Sequence, residues 1–175
     1  MSTLLLMSAV LGLAGEKAGS EEEISWTNAN PASAPSPRVL AGMAYDSESD
    51  RVILFGGRLA DANDDETWAY DFNSNTWTNM NPSVKPLARN YPTMAYDSES
   101  DRIVLFGGQT EGGLSGETWA YDYNTDTWIN MAPGAAPSPR SAAGMAYDAE
   151  SDRIILFAGF LGGPGGTTFG DDTWA

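Results

Sequence analysis

The chain has 175 residues, enough for one ordinary domain, and 42% of them are apolar against 19% charged, a globular composition. Its 24 acidic and 9 basic side chains leave a net charge of −15, a field that repels phosphate backbones and anionic lipid surfaces, so no nucleic-acid partner is expected. With no Cys and no His, disulfides, thiolate nucleophiles, imidazole acid–base chemistry and most zinc or copper sites are absent, and neither metal nor cofactor is expected.

The first twenty residues differ from the rest. Leu4 to Gly15 reads LLLMSAVLGLAG, an apolar run too short to cross a bilayer. It has the character of a secretory h-region, with the small residues Gly12 and Ala14 flanking Leu13 as a cleavage pattern, although no positive n-region precedes it. The expectation is a signal-like leader over residues 1–20 and a secreted or surface-displayed protein. A buried helix and a lipid-anchored leader without its Cys are the alternatives.

Past the leader the chain repeats itself. YDSESDRVILFGG at Tyr45–Gly57 returns as YDSESDRIVLFGG at Tyr96–Gly108 and as YDAESDRIILFAG at Tyr147–Gly159. Arg38, Arg89 and Arg140 recur at an interval of 51 residues, and so do Trp26, Trp77 and Trp128. A fixed period of this size marks one supersecondary unit per copy. In chain order the expected units are an orphan strand over 24–31, a first blade over 35–85, a second over 86–136 and an incomplete third over 137–175. All lie within one expected domain over 21–175.

Each copy divides into four short strands, called a to d here. In the second copy strand a covers about Pro92–Tyr96, b covers Arg102–Phe106, c covers Thr118–Tyr121 and d covers Thr127–Met131. Turn-rich stretches separate them: DSESD, a Gly-rich stretch, and DYNTD. The connections are too short for helical crossovers, so the strands run as an antiparallel meander. Strand b decides the architecture. Ile103, Val104, Leu105 and Phe106 leave it no polar face, so the sheet must be covered on both sides. A ring of such sheets packed face to face, a β-propeller, provides that cover.

A hydrophobic strand ending in Gly-Gly, followed by Tyr and Trp seven positions apart (Tyr70 and Trp77, Tyr121 and Trp128), resembles the kelch repeat over about Trp26 to Trp174. The third copy departs from the pattern with Ala158 in place of the first Gly. The resemblance implies an all-β kelch-type β-propeller, of which about three four-stranded antiparallel blades are present, and a likeness to galactose oxidase-type propellers. Copper-radical enzymes of that type use His ligands and a Tyr cross-linked to Cys, and this chain offers neither residue. Kelch-like rings close with a leading strand d, and three copies are too few to close one. The chain is therefore expected to be an N-terminal fragment of a longer propeller. Its ring would be completed by missing C-terminal blades or by a second copy, and in isolation it is expected to self-associate through open blade faces.

Function is expected at the loops. The a–b turns are near copies, whereas the b–c loops diverge: RLADANDDE (Arg58–Glu66), QTEGGLSGE (Gln109–Glu117) and the longer FLGGPGGTTFGDD (Phe160–Asp172). In a meander the b–c and d–a loops share one end, and variable loops on a rigid scaffold are where recognition sits. Arg58, Gln109 and Phe160 open those loops and are candidate ligand-binding residues. Arg38, Arg89 and Arg140 are candidates too, as a ring of guanidiniums for a carboxylate or sugar oxygens; equally, they suit an inter-blade bond to a carbonyl or to the acidic loops. The second series, Arg51, Arg102 and Arg153, is expected to pair with the acidic turn before it. Those DSESD turns are too short and lack the Gly of a calcium loop, so Asx-stabilised turns are expected. The strand Trp residues are expected to pack blades rather than stack on sugars. The function that follows is a non-catalytic interaction scaffold recognising a protein or glycan ligand. The alternative is the N-terminal part of a carbohydrate-active propeller enzyme with catalytic residues beyond residue 175.

Overall fold

A computed structural model describes residues 25–163 and 168–175. The signal-like leader over 1–20 lies outside the described residues. Every regular element among the described residues is a strand.

The first sheet has four antiparallel strands in chain order: β1 (Gly42–Asp46), β2 (Arg51–Phe55), β3 (Thr67–Asp71) and β4 (Thr76–Asn79). The second repeats it with β5 (Thr93–Asp97) and β6 (Arg102–Phe106), then, after a two-stranded ribbon of β7 (Gln109–Thr110) and β8 (Gly113–Leu114), with β9 (Thr118–Asp122) and β10 (Thr127–Asn130). The third holds β11 (Gly144–Asp148), β12 (Arg153–Phe157) and β15 (Thr173–Trp174), with a second ribbon, β13 (Phe160–Gly162) and β14 (Thr168–Phe169), between the last two. The innermost strands β1, β5 and β11 touch in succession, so the sheets stand radially like blades.

The double-sided strands behave as their composition demands. Ile53, Phe55, Ile103 and Leu105 are buried and share one core with Ala69, Met94, Tyr121 and Trp128. Trp128 is the main contact across the first boundary. Only 1% exposed, it rests on Tyr121 of its own sheet at 4.9 Å between ring centroids and on Phe55 of the first sheet at 5.1 Å. Its indole N–H donates to Thr67 Oγ1 at 2.9 Å. In the third sheet strand b is less covered, and Phe157 is 54% exposed.

The acidic turns are Asx turns. Asp46 Oδ1 accepts from the backbone N–H of Glu48 and Ser49, each at 3.0 Å, and Asp97 and Asp148 do the same with their own turns. Each turn ends on an acidic residue in the left-handed region, Asp50, Asp101 and Asp152 at φ of 54, 52 and 51°. That residue's carboxylate accepts the hydroxyl of the Tyr five positions earlier: Tyr45, Tyr96 and Tyr147. The c–d turns use the same device with Tyr70 on Asn75 and Tyr121 on Asp126.

Three expectations need correction. Residues 25–31 form no strand; Ala29 O accepts a bond from Asn75 Nδ2, but among the described residues no ladder partner lies beside the segment, and Trp26 is 96% exposed. The b–c stretches of the second and third copies are partly ordered as ribbons rather than plain loops, because Thr110 and Gly113 can turn the chain back on itself. The guanidiniums of Arg51 and Arg102 pair not with the carboxylates of the turn before them but with Asp71 (3.1 Å) and Asp122 (3.4 Å) at the ends of β3 and β9. The preceding turn supplies backbone carbonyls instead, as Asp50 O does for Arg51.

Candidate functional site

The b–c and d–a segments meet at one end of the blades, held by bridges between Val39 and Arg58, Asn90 and Gln109, and Ser141 and Phe160. The first Arg series builds this end from within. The Arg89 main chain joins the first sheet: its N–H donates to Asp64 O at 3.1 Å and its carbonyl accepts from Gly57 N at 2.9 Å. Its side chain, 0% exposed, turns into the second sheet. Nε donates to Leu87 O, NH1 to Gly107 O and Ser115 Oγ, and NH2 to Glu117 Oε2 at 2.6 Å. Arg38 repeats this with Gly56 O and Glu66, and Arg140 with Ala158 O and both oxygens of Asp172.

These bonds set the charge states. Partial burial pushes the Glu117 carboxyl up, but the hydrogen bonds from Arg89 and Trp119 outweigh it and hold it below the ordinary range. Glu66 is lowered in the same way by Trp68 and Arg38 against its own desolvation. Hydrogen bonds from Arg140 and Trp174 hold Asp172 far below a normal carboxylate. Arg38, Arg89 and Arg140 are therefore internal clamps, with their guanidiniums turned away from any ligand in solution. The first Gly after strand b makes room for the main chain of the next copy's Arg. At Gly56, φ +67°, a Cβ would stand 2.6 Å from Arg89 O. Ala158 keeps the same left-handed backbone, φ 60°, where the third copy has no Gly.

The other three candidates differ. Arg58 and Gln109 are exposed on the rim, and Phe160 is half-buried with its ring 5.9 Å from that of Phe169. Arg58 and Gln109 border one groove of about 330 Å³ between the first two blades, whose other walls include Asp61, Asn63, Asn90 and Glu111. Phe160 is not part of it. The amides here form a chain: Asn90 Nδ2 donates to Asn63 Oδ1 at 2.7 Å, and Asn63 Nδ2 donates to Gln109 O at 3.1 Å. Asn63 and Asn90 escape a search for repeated residues because they are unique to one boundary. The signal that finds them is the break in the repeat: 51 residues on stand Leu114 and Ser141.

Residues 20–175 match the model of the KLHDC2/KLHL20/DRC7 Kelch-repeats domain. The chain belongs to the kelch-repeat family. Similar proteins include dynein regulatory complex subunit 7 of Chlamydomonas reinhardtii, 31% identical over 69% of this chain and 11% of its own length. The tRNA wybutosine-synthesizing protein 4 of Emericella nidulans is 29% identical over 75% of this chain and 12% of its own. Kelch domain-containing protein 2 of Bos taurus is 27% identical over 71% and 30%. This kelch chain thus spans less than a third of each of these relatives.

Within the kelch frame, the repeated residues and the divergent loop residues occupy different places. The Arg clamp and the Tyr–Asx turns recur from copy to copy, whereas the Gly-Gly pair gives way to Ala158 in the third copy and the strand-d Trp is buried at Trp128, half-buried at Trp77 and exposed at Trp26. The residues left facing solvent at the b–c end are those that differ from copy to copy.

Proposed function

We propose that this kelch chain is a non-catalytic scaffold for protein interaction that receives its partner on the b–c and d–a end of the blades. The observation that carries it is the division just described: one end has invariant Asx turns, the other has divergent loops that enclose a polar groove on a clamped framework. The relatives support the protein class, since one is named as a subunit of a dynein regulatory complex. The strand indoles are engaged within the blades, those of Trp68, Trp119 and Trp174 by Glu66, Glu117 and Asp172 and that of Trp128 by burial, so a glycan would stack on the exposed rings of Tyr91 or Phe169 instead. We further propose, from the apolar leader alone, a secreted or surface location.

A peptide-display selection against the chain tests the interaction reading. Selected peptides should lose binding to Ala62→Trp or Gly112→Trp, which add bulk at exposed b–c positions, and keep it with Glu48→Trp or Glu99→Trp on the a–b turns. Binding that follows the a–b substitutions instead, or no selected peptide at all, would overturn it.

A further inference from the structure

We propose that the groove between the first two blades receives a basic peptide side chain, with the buried Asn90 carbonyl oxygen as its innermost acceptor. This rests on the reading that the b–c end binds protein and names what part of a partner it takes.

The starting point is an unpaired atom. Asn90 is 5% exposed and lines the groove, yet its Oδ1 has no hydrogen-bond partner among the described residues. The orientation of that amide follows from its neighbours. Gln109 O is an acceptor only, so Asn63 must turn Nδ2 toward it; Asn63 Oδ1 then faces Asn90 and takes the Asn90 Nδ2 donor. Rotating either amide sets two oxygens against each other. Asn90 Oδ1 is thereby left as a buried acceptor that demands a donor from outside the chain, since an unmet buried polar group is costly.

The blade itself does not require this group. At the matching position the first copy carries Val39 and the third Ser141, while Asn63 and Gln109 correspond to Leu114 and Phe160 at the next boundary. The same framework closes there without the amide chain. The polar set at the first boundary is an addition to the scaffold.

The surroundings choose the donor's charge. Asp61 and Glu111 border the groove, and among the described residues neither is in an ion pair. They stand in the field of a chain of net charge −15, which draws cations and repels acidic segments. An ammonium or guanidinium carries donors for Asn90 Oδ1 and charge for the two carboxylates. Arg58, exposed on the rim, occupies the approach in the free chain, and an incoming cation drives it outward.

The test uses capped five-residue glycine peptides with a central Lys, Arg, Gln or Glu, titrated into the full chain while the Asn90 side-chain amide is followed by NMR. The Lys and Arg peptides should shift it saturably and the Gln and Glu peptides should not. Asp61→Asn with Glu111→Gln should weaken Lys-peptide binding by about tenfold. Asn90→Val, which installs the first copy's residue and is read through the Asn63 side-chain amide instead, should abolish binding without loss of thermal stability. Arg58→Gln should strengthen it severalfold, whereas an Arg58 that contacted ligand directly would weaken it on removal. Equal shifts from Lys and Glu peptides, no shift from any, or indifference to the paired carboxylate variant would each overturn the proposal. Should display-selected peptides still need the b–c loops in that case, the interaction reading stands and only the basic side chain falls.

Discussion

Arg89 makes four side-chain hydrogen bonds at zero exposure, and its worth depends on which partner is removed. Glu117→Ala leaves a buried guanidinium without its counter-charge, expected to cost about 3–5 kcal/mol. Arg89→Met leaves Glu117 free to hydrate and orphans the Leu87 and Gly107 carbonyls, expected to cost less, about 2 kcal/mol. Urea denaturation of the two variants checks the order. The same carboxylates set the acid limit. Glu66, Glu117 and Asp172 have folded pKa values below their unfolded ones, so their stabilisation is present above about pH 4.3 and is lost as pH falls through the folded values. The melting temperature should hold down to about pH 5 and drop below pH 4, less steeply in Glu117→Gln. On the alkaline side Tyr121 and Tyr96 are raised, by burial first and by their bonds to Asp126 and Asp101 second. Their contribution is present below about pH 10 and lost above it as the phenols are forced to ionise.

At the scale of the element, the strand-to-loop junction is where one atom matters. Gly56→Ala adds a Cβ 2.6 Å from the Arg89 carbonyl in a left-handed backbone, so both the turn and the seam between blades must shift. A loss of about 2–4 kcal/mol is expected. Gly134→Ala is the control: nothing lies within 4 Å and its φ is ordinary, so the change should be neutral or stabilising by up to about 1 kcal/mol. Equal melting temperatures for the two variants would refute the clamp. The a–b hairpins carry their own Asx residue and Tyr hydroxyl, and Tyr96 and Tyr147 also face Asp46 and Asp97 of the preceding blade.

For the molecule as a whole, the two flanks of the second sheet differ. One is sealed against the first blade by Trp128; the other leaves a groove of about 480 Å³ along Val104, Ala120, Ile129 and Met131, with Ile129 and Met131 about half exposed. Apolar surface of this kind associates in water. The chain is expected to show concentration-dependent self-association by light scattering at micromolar levels. Ile129→Glu with Met131→Glu should shift it toward monomer. A monomer at every concentration in the unaltered chain would contradict this.

The 51-residue interval, the two-sided strand b, the Asx turns and the packing role of Trp128 were all legible in the amino-acid order, because each rests on alternation or turn chemistry within a few residues. The same local logic made Arg38, Arg89 and Arg140 ambiguous, since a repeated Arg looks alike whether it faces a ligand or a carbonyl. Burial resolved that in favour of the carbonyl, and burial is a property of the packed sheets. The groove was not legible at all. Asn90 meets Asn63 and Asn63 meets the Gln109 carbonyl across 27 and 46 positions of chain, and only the stacking of one blade against the next brings three unrepeated residues together and leaves one oxygen without a partner.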